Sequence, residues 1–167
     1  LIFNCSRSSK ILTNYDAIVN PVKSKKSPEI GPVAVMAATE MDLFFLCDLF
    51  HFNKDDYRRL FTSRLYPRNH LPDRVCLTGP GIGAPYAVMM LEALICWGAR
   101  RIIFIGWCGA VSEQVKTGDI ILPTAAVVDE GTSRNYVEPL NGQSKPALSM
   151  VSLVEQVLAD NRVDFHS

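Results

Sequence analysis

Between Val75 and Gly109 the chain reads VCLTGPGIG, then APYAVMMLEALICWG, then RIIFIGWCG: an apolar run and a glycine corner, an apolar stretch of helical length, and a second apolar run closed by a second glycine corner. No other feature narrows the fold as much. Neither short run alternates, which is the pattern of strands covered on both faces in a mainly parallel sheet. The stretch between them tolerates Pro85 in its first turn and stops at Gly98. A helix apolar on most of its sides is buried on most of them. Upstream, VAVMAA (33–38) is another strand-length run; Thr39 then stands where a helix can start, and Leu43, Phe44, Leu46, Cys47 and Phe50 recur with helical spacing. Downstream, DIILPTAAVV (119–128) reads as a further strand. Strand, helix, strand, helix, strand predicts an α/β sheet with right-handed crossovers, whose ligands collect beyond the carboxyl ends of the strands. The corners at 79–83 and 106–109 fall at those ends.

The rest of the chain is less periodic. Residues 1–31 are polar and rich in lysine and proline toward their end, and predict a surface arm ahead of one domain over 32–167. From His51 to Arg74 the chain is polar, arginine-rich and broken by Pro67 and Pro72, as expected of a connection or an irregular excursion. A last helix is predicted from about Pro146 to Asp160 with Ser144 near its cap, and RVDFHS then opens another extended run. Because a strand needs a neighbour, the domain is expected to continue past Ser167, making this its N-terminal portion. The chain's 167 residues suffice for one real core. Seventeen basic and seventeen acidic side chains leave no basic excess of the kind that nucleic acid or an anionic membrane requires.

The five cysteines, an odd number without a CxxC pair, fit buried free thiols in a reducing compartment, and the three histidines lack metal-ligand spacing. No apolar stretch is long enough for a bilayer, and no charged leader with a cleavage site opens the chain. A cytoplasmic protein without metal or cofactor is expected.

Three glycine-centred stretches could carry chemistry. Gly79, Gly81 and Ala84 satisfy G-x-G-x-x-A between a strand and a helix, but RIIFIGWCG offers no acidic residue to hold a dinucleotide ribose. Gly81 to Gly83 could instead bring backbone amides to an anion or a sugar hydroxyl; a tight turn alone is the equal alternative. At the second corner, Trp107 and Cys108 either face the crevice or, for the tryptophan, fill the core. In DEGTSRNY (129–136), Gly131 could permit a left-handed turn with Asp129 or Ser133 bonding local amides. Thr39-x-x-Asp42 has the spacing of a capping box. Glu92, on an apolar helix, calls for a polar partner, and Met89, Met90 and Trp97 are expected in the core.

Taken together, Gly106–Ala110, the stretch VKTGDIILPTAAVVDEGTSRNYVEP and the stretch LTGPGIGAPYAVMMLEAL resemble the nucleoside phosphorylase and uridine phosphorylase family, related to the nucleosidases, over roughly residues 33–140. That resemblance implies a three-layer α/β fold with a mixed sheet, a homo-oligomer (a dimer or trimer of dimers), and cleavage of the N-glycosidic bond of a purine or pyrimidine nucleoside. Phosphorylases use phosphate as the nucleophile and nucleosidases use water. The ribosyl centre becomes cation-like as the base leaves, so the site needs an anion near C1′ and groups for the sugar hydroxyls.

By the same resemblance, phosphate would be held around Ala38, Gly106 and Trp107, with Arg59 of RLFTS reaching across a subunit contact, or Arg58 or Arg64 after a shift. Gly81, Ile82, Cys108 and Gly109 would approach the substrate, and DEGTSRNY would lie near the site's rim. The family's arginine at the end of the first strand is replaced by Asp42, and a second arginine by Phe104. A carboxylate in the first position serves the nucleosidases as a base toward water, which makes Asp42 the candidate catalytic residue. Phosphorolysis is the leading expectation, with hydrolysis and a non-catalytic nucleoside-binding protein as alternatives.

Overall fold

The computed structural model describes residues 2–4, 21–67, 74–136 and 142–167. Its centre is β2 (Val33–Ala37), flanked in parallel by β5 (Val75–Gly79) and β6 (Arg101–Ile105), with Val33 level with both Val75 and Arg101. Three antiparallel strands extend this core: β1 (Ile2–Asn4) beside β6, β4 (Ser63–Tyr66) beside β5, and β3 (Arg58–Leu60) beside β4. The spatial order is β1-β6-β2-β5-β4-β3, a mixed six-stranded sheet. β1 comes from the stretch expected to be an arm, and Ile30 from the same stretch enters the core.

Side chains alternate across β2 and so define the layers. Ala34 and Met36 pack with Cys76, Ile102 and the buried side of α2 (Ala84–Trp97), including Met90 and Leu94. Val35 and Ala37 pack with Leu77, Tyr66 and the buried side of α1 (Glu40–Leu49), Leu43, Leu46 and Cys47. α3 (Leu148–Asp160) joins the α1 face, where Met150 and Val151 meet Leu122 and Ile103. This helix–sheet–helix sandwich is the three-layer fold expected. Each fully buried leucine of it contributes about 1.5–3 kcal/mol of transfer free energy. No helix among the described residues is long and apolar enough to cross a membrane.

Several expectations are corrected. The stretch 51–74 contains the β3–β4 hairpin, whose turn gave no glycine signal because Phe61 itself adopts the positive φ of 54°. The expected strand 119–128 is broken around Pro123 into β7 (Ile120–Ile121) and β8 (Ala126–Val127), both outside the main sheet. β7 pairs in parallel with β10 (Phe165–His166), and β8 pairs antiparallel with β9 (Gln143–Ser144). Ser144 is therefore a strand residue, and α3 starts at Leu148 after Ala147 without a side-chain cap. Met89 is exposed, and of the thiols Cys47 and Cys76 are buried while Cys108 is exposed. Burial pushes the Cys76 thiol up to about 12. Cys5, His70, Pro72 and residues 137–139 of the family-like stretch lie outside the described residues.

Candidate active site

The three parallel strands end side by side. Ala38 N–H donates to the Ile105 carbonyl at 2.9 Å, and Gly81 N–H donates to the Ala37 carbonyl at 3.0 Å, so both glycine corners are tied to the end of β2. Space explains why they are glycines. A Cβ on Gly106 would stand 3.0 Å from the Ala38 Cβ and 3.6 Å from Cε1 of Phe104. One on Gly81 would stand 3.3 Å from the Met90 sulfur and 3.6 Å from Cε2 of the same phenyl ring. Phe104 thus lies between the two corners, and the backbones close in where a side chain would hold them apart. Gly83, at φ 85°, turns the chain into α2.

α1 begins over this rim. Thr39 caps it, its Oγ1 accepting from Asp42 N–H at 3.1 Å, as the capping-box spacing predicts. The carboxylate does not complete a standard capping box. Asp42 Oδ2 instead accepts from the Thr39 hydroxyl at 2.6 Å and from the Trp107 indole N–H at 2.9 Å. Asp42 is half-buried and, among the described residues, forms no ion pair. Trp107 is 82% exposed, which settles against a core role. Two side-chain donors at the strand ends are therefore turned onto one carboxylate, and its Oδ1 has no partner among the described residues.

Asp42, Ala38, Gly81, Gly106 and Trp107 are thus brought to one end of the sheet. Ile82 and Cys108 follow the corners as exposed residues, and the space beside Gly109 is open. Arg59 is not brought there. It sits on β3, the outermost strand, three strands and therefore about 14 Å from β2. There it borders a separate surface hollow of about 610 Å³ with Phe61, Met89, Glu92 and Trp97. Arg64 is nearer the rim, opposite Gly79, but it is engaged: it pairs with Glu40 and lies 5.0 Å from the Phe44 ring and 5.2 Å from the Tyr57 ring.

Two sets of polar ties escaped sequence reasoning, one of them at the rim. Tyr86 on α2 accepts from Thr62 N–H at 3.1 Å and from the Thr62 hydroxyl at 2.9 Å. It shares a 2.7 Å bond with Ser63, whose own proton goes to the Pro80 carbonyl. The β3–β4 turn is thereby linked to the loop that carries Gly81. In DEGTSRNY, the residue bonding the local amides is Glu130 rather than Asp129 or Ser133, through Thr132 N–H at 2.6 Å and Ser133 N–H at 2.9 Å. These bonds, Ser133 foremost, hold the Glu130 carboxyl down at about 2. Gly131 takes no left-handed conformation. The polar partner that Glu92 required is Tyr136 of the same element, whose hydroxyl donates at 2.8 Å. Burial and this carboxylate push the Tyr136 hydroxyl up to about 12. A tyrosine three residues past a serine turn and a lone glutamate on an apolar helix were the available signals.

The sequence profile of the phosphorylase superfamily matches residues 32–167. The chain belongs to that superfamily. Among curated members, it is 39% identical over 79 residues to a uridine phosphorylase of Haemophilus influenzae, covering 47% of this chain and 31% of the relative. It is 30% identical over 92 residues to a guanosine phosphorylase of Halorubrum lacusprofundi, covering 55% and 37%. The chain spans about a third of the length of the curated relatives it matches.

Solved superfamily folds superpose over most of the chain. The purine nucleoside phosphorylase of Toxoplasma gondii gives a TM-score of 0.69 at 19% identity, over 83% of this chain and 56% of its own. The AMP nucleosidase of Bacteroides thetaiotaomicron gives 0.66 at 21% identity, over 82% and 54%. A phosphorylase and a nucleosidase thus share this layered sheet.

Proposed function

We propose that the protein cleaves the N-glycosidic bond of a nucleoside at the crevice where β2, β5 and β6 end, and that water is the nucleophile its site favours. The observation that carries this reading is the Asp42 carboxylate, fixed by Thr39 and Trp107 at the rim with one oxygen unpartnered among the described residues. A phosphate dianion needs donors and positive charge. Here the donors are spent on a carboxylate that would repel it. A water molecule, in contrast, donates to a carboxylate and is activated by it. As the C1′–N bond breaks, its electron pair passes to the base nitrogen, which takes a proton from solvent. Water forms the new C1′–O bond and gives its proton to Asp42. Gly81 and Ile82, with Cys108 and Gly109, border the sugar.

Phosphorolysis is the second reading, favoured by the names of the curated relatives, uridine and guanosine phosphorylases. In it, Arg59 of a neighbouring subunit in a homo-oligomer would meet the phosphate beside Ala38, Gly106 and Trp107. One assay separates the two: purine and pyrimidine nucleosides are incubated with and without phosphate and the sugar product is identified. Free ribose at a phosphate-independent rate is expected, and Asp42→Asn should slow its release about 10²–10⁴-fold. Ribose 1-phosphate formed only when phosphate is present would replace hydrolysis by phosphorolysis.

A further inference from the structure

We propose that the indole face of Trp107 stabilises the positive charge that develops on the ribosyl ring, so that Trp107 and Asp42 together supply the counter-charge a phosphate dianion would otherwise bring. This inference rests on the hydrolytic reading above.

Three observations lead to it. Trp107 is a large aromatic side chain left 82% exposed, yet it is tethered at one edge by its N–H to Asp42, so its faces are open while its position is set. The tether places it at the rim, because Gly106, the residue before it, packs against Ala38 at the end of β2. The third observation concerns charge. The described residues bring no free cation to Asp42, and the nearby guanidinium of Arg64 is taken up by Glu40, Phe44 and Tyr57. Among the described residues, the rim turns a carboxylate and a π-face toward a substrate, and both attract positive charge.

The chemistry gives that pairing a use. While the C1′–N bond breaks and before water's oxygen bonds to C1′, positive charge spreads over C1′ and the ring oxygen. Tryptophan is the best side chain for holding a cation over a ring face. A hydrogen bond from its N–H to a carboxylate polarises the ring further in the same sense. The indole forms no bond and is unchanged at the end of the step.

The test is calorimetric binding of two ribose mimics of one shape to the protein: a hydroxylated pyrrolidine, protonated at neutral pH, and its uncharged carbocyclic counterpart. The wild type should prefer the cation by about tenfold or more. Trp107→Leu should cut that preference by a factor between about 2 and about 30, and Trp107→Phe by less, following the strength of cation–π contacts. Asp42→Asn should also reduce it. Because the Trp107 side chain is exposed, its leucine and phenylalanine variants should keep the wild-type Tm within a few degrees. Protein made with 5-fluorotryptophan, which keeps the shape and the N–H but has an electron-poorer face, gives a second measurement and should show a reduced preference.

A full cation preference in Trp107→Leu, an unchanged one after fluorination, or none in the wild type would overturn the inference. A wild type that hydrolyses nucleosides yet shows no preference for the cation overturns this inference alone. A Trp107-dependent preference in a protein that cleaves nothing overturns the proposed function and leaves the cation site standing.

Discussion

The stretch from Val33 to Ile105 and the stretch from Ile120 to Ser144 are built from similar apolar runs, yet they end up in opposite environments. Every residue of VCLTG in β5 is buried between two neighbouring strands and two helical layers. In DIILPTAAVV, Ile120 is exposed and Val127 is 77% exposed, on two-residue strands that pair outside the main sheet. Composition does not separate the two. Cover does: a run becomes a central strand when both edges find partners in register and both faces find a helix, and the second stretch has one short partner for each of its pieces. The second region is anchored to the domain by Leu122, buried against α3, and held by polar ties such as those of Glu130 and Tyr136.

That contrast can be broken by experiment. Leu94, fully buried on α2 against the sheet, should cost about 2–5 kcal/mol when truncated to alanine, read as a drop in denaturation midpoint. A loss under 1 kcal/mol would mean that the α2 layer is not the cohesive centre. Glu130 tests how polar ties hold the second region. Its carboxyl stands at about 2 in the fold against an ordinary 4.5, so its contribution is complete above pH 4.5 and disappears as pH falls toward 2. Glu130→Gln should therefore melt below the wild type at pH 7, and the gap should close across that acid window. A gap that persists at pH 2 would assign the effect to something other than the carboxylate. Smallest of all, Val127→Ala should change stability by no more than about 0.5 kcal/mol, since the side chain is already in water. A larger loss would show that the second region is covered after all.

The same contrast explains what could be read from the chain alone. β2, α1, β5, α2 and β6 were legible because unbroken apolar runs, helical spacing and glycine stops all agree there. Asp42 was legible as a residue of interest only through its spacing from Thr39 and its place in the family pattern. That it would be clasped by Trp107, 65 positions away, depends on the parallel pairing of β2 with β6, which sets Ala37 level with Ile105 and brings Gly106 beside Ala38, a pairing that no local pattern records. The β3–β4 hairpin stayed hidden because its turn uses Phe61 where a glycine or asparagine would have announced it. The division of DIILPTAAVV followed from Pro123, which the apolar character of its neighbours masked.

The hydroxyl chain from Thr62 through Tyr86 and Ser63 to the Pro80 carbonyl has an evolutionary consequence. Its members come from an edge turn, a helix and a loop, and each satisfies the next, so altering one strands a polar group on another. At the buried end of the chain, where Ser63 is 2% exposed, a replacement that removes one hydroxyl leaves its neighbour without water to turn to, so substitutions there should be tolerated best in compensating pairs. The outer hairpin and the loop carrying Gly81 thereby share one set of hydroxyl protons.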